Sequence, residues 1–272
     1  HGRTLATLAA TGQDVFHKSF APMPAGFMSA ELNDLAALEE AIARPEAGCG
    51  PVCAIMLECV QGEGGVWPAD PEYLQGVSRL CEERGLVLIV DEVQTGVFRC
   101  GAPFSYQLAG IVPDIVSMAK GIAGGFPMGA FSAHGEVADL LGPGDHGSTF
   151  GGNPLAMRAA LTTLDVMERD GLVTRAEALG KRLRQGFEQA LAGANGFTGM
   201  QGKGLMIGIG LDRPCGALVK MALDEGLVIN VTAERVVRLL PPLILSDAEA
   251  DELVQRLAPL IRRFLQEGQA AR

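Results

Sequence analysis

The chain has 272 residues, 48% of them hydrophobic and 20% charged, with a mean hydropathy of +0.22, enough for one large or two ordinary domains with substantial cores. A formal net charge of −10 and a pI near 4.9, with 22 Lys and Arg scattered along the chain, argue against nucleic acid as a partner. No uninterrupted apolar stretch approaches the ~20 residues of a membrane span, so no membrane partner is expected either.

In chain order, a helix is predicted over about 34–43 and a strand over about 52–57. A helix over about 71–84 has Asp70 as N-cap, Pro71 at its first position, Tyr73, Leu74, Val77, Leu80 and Cys81 on one face, and Gly85 past its end. Strands follow at about 86–90, 114–118 and 129–133. Strands alternating with such helices imply a largely parallel sheet covered on both faces. After Gly151-Gly152-Asn153-Pro154 come helices at about 154–169 and 172–192, then short strands around 204–211, 227–231 and 236–240. A last helix begins at Ser246, with Glu249 completing a capping box, and carries Leu253, Leu257, Leu260, Ile261 and Phe264 inward. The expected organisation is an α/β domain over residues 1–165 and a smaller α+β domain over 166–272.

The apolar run Leu86-Val87-Leu88-Ile89-Val90 ends in Asp91, at the carboxyl end of a buried parallel strand, which is where open α/β sheets bind ligands. Two chemistries use an acid there. In a nucleoside triphosphatase it holds Mg²⁺, but that needs a Gly-x4-Gly-Lys-Ser/Thr loop. This sequence has none, since Lys203 follows Gly202 but precedes Gly204. In a pyridoxal phosphate enzyme the acid keeps the pyridine nitrogen protonated, and a lysine among small residues binds the cofactor's aldehyde. Lys120, between Ala119 and Gly121 and ahead of a Gly-rich turn, fits that lysine.

Other residues have blander or competing readings. Six cysteines lie at irregular spacings. Cys49, Cys53 and Cys59 invite a metal reading, but no His lies nearby and the spacing is not that of a zinc site. Buried thiols in a reducing cytosol are expected instead. His1, His17, His134 and His146 lack close spacing with one another, so no metal site is expected. Arg238, inside Val236-Val237-Arg238-Leu239-Leu240, must be paired or functional, and its planar fork suits a carboxylate.

Seven blocks together resemble the class III (ornithine-type) aminotransferases, nearest to their acetylornithine branch. They are His1-Gly2-Arg3-Thr4, Glu58-Cys59-Val60-Gln61-Gly62-Glu63-Gly64-Gly65-Val66, Asp91-Glu92-Val93-Gln94-Thr95-Gly96, Ala119-Lys120-Gly121, Gly124-Gly125-Phe126-Pro127-Met128-Gly129-Ala130, His146 through Pro154, and Val236 through Pro242. Cys59 departs from the pattern, standing where the family usually has Pro.

The resemblance implies a fold-type I pyridoxal phosphate transferase. Its mostly parallel, seven-stranded-type sheet would be only partly present here, with a smaller C-terminal α+β domain beside it. It implies that Lys120 carries the cofactor, Asp91 pairs with its ring nitrogen and Gln94 bonds its phenolic oxygen. Ser148 and Thr149 would reach the cofactor phosphate of a neighbouring subunit, giving a homodimer with shared active sites. Arg3 and Arg238 would hold substrate carboxylates, and Glu63 would pair with Arg238 when the amino donor is not glutamate.

The implied reaction moves the δ-amino group of N-acetylornithine to 2-oxoglutarate, in arginine biosynthesis in the cytoplasm. Relatives acting on succinylornithine, ornithine or 4-aminobutyrate share every motif. In the family the His-Gly-Arg-Thr block lies inside the large domain, after a phosphate-binding loop and an aromatic that stacks on the cofactor. The 272 residues are therefore expected to be the C-terminal two thirds of an enzyme. The reading from a different class is a non-catalytic structural fragment without that loop.

Overall fold

The computed structural model describes residues 1–45 and 50–270, the side chains of 268–270 excepted. Cys49 therefore lies outside the described residues. Two short helices not foreseen in the sequence, α1 (Leu5–Ala9) and α2 (Asp14–His17), precede α3 (Leu35–Ala43), whose first turn is capped by Asp34 accepting from the Ala37 N–H at 2.9 Å. They were missed because each is about one turn long, too short for a helical period to register.

The first sheet has the order β1 (Ala54–Leu57), β4 (Val87–Asp91), β5 (Ile115–Met118), β6 (Ala130–Ala133). β1, β4 and β5 run parallel, and β6 returns antiparallel, so the sheet is mixed at one edge. Between β1 and β4 lie the small hairpin β2 (Val60–Gln61) with β3 (Trp67–Pro68) and the crossover helix α4 (Pro71–Arg84). Helix α4 has the predicted bounds, with Pro71 in its first turn and Gly85 ending it in the left-handed conformation at φ +64°. The Asp70 side chain makes no capping bond, however; its backbone N–H instead donates to Asn33 Oδ1 at 2.8 Å. Leu74, Val77, Leu80 and Cys81 of α4 pack on Ile55, Leu88 and Val90 of the sheet.

Helix α5 (Pro154–Arg169), capped by Asn153 at 2.9 Å from the Ala156 N–H, leads through Gly171 into α6 (Leu172–Leu191). A second sheet, wholly antiparallel, has the order β7 (Phe197–Lys203), β8 (Met206–Leu211), β10 (Val236–Leu239), β9 (Asn230–Thr232). The strand expected over 204–211 is thus the second arm of a hairpin. Its first arm, Phe-Thr-Gly-Met-Gln-Gly-Lys, lacks the alternation that would have revealed it. Helix α7 (Ala217–Asp224), also unforeseen, follows, and α8 (Asp247–Ala270) closes the chain. The Ser246–Glu249 capping box forms as expected, with the Ser246 N–H donating to Glu249 Oε2 at 2.7 Å and the Glu249 N–H to Ser246 Oγ at 3.2 Å.

All six residues of β8 are buried, because both faces of the strand are covered. On one side Leu179, Leu183 and Phe187 of α6, with Leu257 and Ile261 of α8, close over Ile207 and Ile209. On the other, Met206 and Val236 meet Val60, Val66 and Cys100 from the first half of the chain. Each such side chain contributes roughly 1.5–3 kcal/mol by leaving water. Four of the cysteines (Cys59, Cys81, Cys100, Cys215) are buried free thiols, whereas Cys53 is exposed, contrary to the expectation of buried thiols. Among the described residues no helix is long and apolar enough to cross a membrane.

The closest approach between α6 and the β7–β8 turn has a measurable consequence. A Cβ on Gly180 would lie 2.0 Å from the Gly204 carbonyl oxygen, a backbone atom that cannot swing aside. Gly180→Ala is expected to destabilise the protein by about 1–3 kcal/mol despite the better helix former. Gly186→Ala, on the same helix, meets only the Val254 Cγ2 at 3.0 Å. It should cost less than about 1 kcal/mol. Urea unfolding of the two variants compares them, and equal midpoints would sink this account of the contact.

Candidate active site

Parallel pairing puts the ends of three strands side by side. Leu57 pairs with Val90 and Asp91 with Ser117, so Glu58, Asp91 and Ser117 are neighbours at the carboxyl edge. Asp91 is 4% exposed. Its Oδ1 accepts from the Val93 N–H at 3.0 Å and the Ser117 hydroxyl at 3.2 Å, which aims Oδ2 away from the sheet.

Lys120 follows β5 and holds a left-handed backbone, φ +49°, unusual for a residue with a side chain. Its residue surface is open to solvent, yet burial of its amine lowers the pKa, with Arg238 acting in the same direction against Glu58, Asp91 and Glu63. That favours the free amine, the nucleophilic form.

The His1 imidazole stands between these two groups. Its Nδ1 lies 3.1 Å from Asp91 Oδ2 and its Nε2 lies 2.9 Å from Lys120 Nζ, while the terminal ammonium of His1 pairs with Asp91. Gln94, 7% exposed, holds its Nε2 3.4 Å from the same His1 Nε2. The site thus presents an acid and an amine across one nitrogen heteroaromatic ring. Sequence spacing hid this, because His1 is distant in the chain from every carboxylate. His1, Glu58 and Asp91 bring potential metal-ligand atoms within 4.8 Å of one another. Lys120 Nζ lies beside this group, 2.9 Å from His1 Nε2.

Gln94 is presented by a tight turn after β4. Glu92 anchors that turn: fully buried, it accepts from the Thr95 hydroxyl at 2.5 Å, the Ser105 hydroxyl at 2.8 Å and the Tyr106 N–H at 2.9 Å. A Cβ on Gly62 would sit 2.2 Å from Gln94 Oε1, so a side chain there would displace the Gln94 amide. Beside Glu58 the Cys59 thiol is buried, and burial chiefly pushes its pKa up to about 12, so it behaves as a small apolar group.

Arg238, on β10 and 9% exposed, reaches across from the second sheet. Its Nη1 donates to Glu63 Oε1 at 2.7 Å and to Gln94 Oε1 at 3.2 Å, and its Nη2 to Asn230 Oδ1 at 3.3 Å. The expectation of a paired arginine in the apolar run is met, and the Glu63–Arg238 pair named from the sequence is formed. The Arg238 Nε and Glu58 Oε1 atoms are buried without partners, so the pocket retains unused donor and acceptor capacity. A cleft of about 630 Å³ runs from Val93, Gln94 and Lys120 past Thr163 to Leu243 and Ile244.

Three predicted site residues lie elsewhere. Arg3 is exposed, its guanidinium 4.1 Å over the Phe16 ring. Ser148 and Thr149 are exposed in the loop before α5, and no hydrogen bond described joins them to Asp91, Gln94 or Lys120. Sequence reasoning missed Ser117 and Glu92. Glu92 carried a signal in the Asp91-Glu92 pair, an acid at the inward end of a buried strand that requires partners.

Comparison with known proteins agrees with this geometry. Residues 1–261 match the family described as Aminotransferase class-III. The acetylornithine aminotransferase 1 of Bordetella pertussis is 52% identical over 270 residues, covering 99% of this chain and 67% of that protein. The acetylornithine aminotransferase of Caldanaerobacter subterraneus is 45% identical over 94% of this chain and 64% of its own length. The chain therefore spans about two thirds of the length of the curated relatives it matches. Among solved structures, the ornithine aminotransferase of Toxoplasma gondii superposes with a TM-score of 0.90 at 33% identity, covering 98% of this chain and 63% of that one. The N-acetylornithine aminotransferase of Stenotrophomonas maltophilia gives 0.78 at 35% identity, over 90% of this chain and 64% of that one. With the motifs in family order and the strand ends carrying the expected acid and lysine, the chain belongs to the class-III aminotransferases.

Proposed function

We propose that this protein transfers the δ-amino group of N-acetylornithine to 2-oxoglutarate, with pyridoxal 5'-phosphate as cofactor. The observation that carries the reading is the buried acid Asp91 at the end of β4, oriented by Ser117 and the Val93 N–H, with Lys120 just beyond the neighbouring strand β5. The 52% identity to a protein named acetylornithine aminotransferase supports the substrate over the ornithine named for structural neighbours at 33%.

Bound pyridoxal phosphate supplies an electron sink conjugated to the amino group being moved. Asp91, oriented by Ser117 and the Val93 N–H, keeps a proton on the ring nitrogen through a charge-assisted hydrogen bond. Lys120 would hold the cofactor through its amine and, with that amine free, would move a proton at Nζ as general base and acid. Gln94, with Arg238 donating to its Oε1, would offer its amide N–H to the cofactor's phenolic oxygen. Arg238 would receive the α-carboxylate of glutamate and Glu63 would occupy it for the other donor; the assignment of a second substrate carboxylate to Arg3, which lies over Phe16, rests on the family resemblance alone. Ser148 and Thr149 serve the phosphate of a partner subunit, which makes the assembly a homodimer with shared sites. Their exposure in a loop free of bonds to their own site accords with that assignment. The same reading places the protein in the cytoplasm, in arginine biosynthesis, and divides it into a cofactor domain through residue 165 and a smaller domain from 166.

Borohydride treatment of the purified, cofactor-loaded protein should fix the label on Lys120, and Lys120→Ala should abolish both label and turnover. A label on another lysine overturns the assignment. Asp91→Asn should fold and still bind cofactor, yet lose about a hundredfold or more in turnover, because the amide cannot hold the ring proton. Near-normal turnover in that variant removes Asp91 from the mechanism.

The two half-reactions separate the roles of the ion pair. Arg238→Ala should impair the glutamate half-reaction by about a hundredfold, the equivalent of ~3 kcal/mol for a lost charged contact, and the acetylornithine half-reaction far less. Glu63→Ala should leave the glutamate half-reaction intact or improved while weakening the other. Single-turnover measurements showing equal losses in both halves for both variants would refute this division of labour.

A further inference from the structure

On the proposed reading Glu63 must release Arg238 and return to it, yet the chain around Glu63 is fastened to the C-terminal sheet. The Thr232 hydroxyl of β9 donates to the Glu63 main-chain carbonyl, and Gln201 Nε2 of β7 donates to the Gly65 carbonyl. Among the described residues neither carbonyl accepts from a backbone N–H. Two side chains from another sheet therefore hold a turn that has no backbone ladder of its own.

The end of the turn is held as well. Val66 has φ +60°, a left-handed backbone rare for a β-branched residue, and its side chain is fully buried with Val60, Cys100, Met206 and Val236. Such a conformation persists only where the surroundings over-determine it. Residues two apart on a strand share a face, so Asn230, opposite Arg238 in the register, and Thr232, opposite Val236, stand side by side on the edge strand β9. Asn230 Oδ1 accepts from Arg238 Nη2 at 3.3 Å, while Thr232, 4% exposed, holds the backbone of Glu63. One face of one strand thus touches both members of the ion pair and sets where they meet.

We propose that Thr232, with Gln201 at the other end of the turn, is a positioning residue that sets the substrate selectivity of the Arg238 pocket. Fixing the Glu63 carbonyl fixes the pivot of the Glu63 side chain. The carboxylate then leaves and rejoins Arg238 by rotating about its own side-chain bonds, while the loop backbone stays on β9. A pinned pivot reduces the conformational entropy lost when the carboxylate returns, which favours the Glu63-paired pocket that the acetylornithine half-reaction uses. This inference rests on the aminotransferase reading and on the Glu63–Arg238 exchange proposed with it.

Single-turnover measurements on the purified, cofactor-loaded protein give the ratio of second-order rate constants for the acetylornithine and glutamate half-reactions. Thr232→Val keeps the side-chain shape and removes the hydroxyl. It should lower that ratio by about three- to tenfold, the scale of one lost hydrogen bond, with the glutamate half-reaction unchanged or faster. Thr232→Ser, which keeps a hydroxyl, should return the ratio toward wild type. In a Glu63→Ala background Thr232→Val should leave the ratio where it was, because no carboxylate remains to be positioned.

A residue that merely stabilises the junction would slow both half-reactions alike, and equal losses overturn the proposal. So does an effect of Thr232→Val on the ratio that persists undiminished once Glu63 is Ala. Should Thr232→Val fail to fold, Gln201→Met removes the second pin at similar volume. It should shift the ratio in the same direction, and an unshifted ratio overturns the proposal. Wild type that performs neither half-reaction, or a Glu63→Ala variant with a wild-type ratio, overturns the function or the exchange proposed above, and this inference with it. A ratio that responds to Glu63→Ala but not to Thr232→Val overturns this inference alone.

Discussion

The site depends on the register of three parallel strand ends. Because Leu57 pairs with Val90 and Asp91 with Ser117, backbone hydrogen bonding that stabilises the sheet also fixes the spacing of Glu58, Asp91 and Ser117. A slip of one residue would turn each of these side chains to the other face of the sheet, against the helices. The register is strongly held, since Ile55, Leu88 and Val90 are buried under Leu74, Val77 and Leu80 of α4. The burial that pays for the fold therefore also positions two carboxyl groups and a hydroxyl whose own interactions are too weak to do so.

A second constraint brings the C-terminal sheet to that edge. Val60 and Val66, from the short hairpin between β1 and α4, share a buried cluster with Met206 and Val236. Arg99 strengthens the junction, donating to the Pro241 carbonyl at 2.6 Å and the Leu205 carbonyl at 3.3 Å, and burial lowers its pKa. Val97, Phe98, Ile122 and Ala160 enter the same core as α6 and β8. Only with this junction formed does Arg238, on β10, come within hydrogen-bond distance of Gln94 and Glu63.

Legibility in the sequence followed the length and regularity of each element. α4 and α5 were readable to the residue, because Pro at the first position and Gly or a charged last turn bracket a clear apolar face. The four strands of the first sheet were visible as apolar runs. The first arm of the β7–β8 hairpin was not, since its place is set by the glycines that let it approach β8: a Cβ on Gly202 would meet the Met206 carbonyl oxygen at 2.0 Å. Asp91, Lys120, Gln94, Glu63 and Arg238 were legible through motif order, and the fold brings all five together. Ser117 meets Asp91 only through strand pairing, which no local pattern encodes. Arg3 lies over Phe16, outside that group, and the surroundings of Ser148 and Thr149 within this chain leave both of them exposed.

The ion pair between Arg238 and Glu63 is asymmetric in a way that suits a pocket serving unlike substrates. The arginine side chain is 9% exposed and the glutamate 43%. Removing Glu63 from the pair costs little, because water can solvate a half-exposed carboxylate as it leaves. The buried guanidinium, by contrast, stays in place, and its charge is fully offset only when a carboxylate occupies the position Glu63 leaves. The arginine also keeps its bonds to Gln94 and Asn230 when Glu63 departs, so it remains oriented to meet an arriving carboxylate. The fixed partner is thus the one buried in a β-strand, and the movable partner is the one on a loop of glycines. The distribution of burial, more than the pairing itself, determines which half of the contact can yield to substrate.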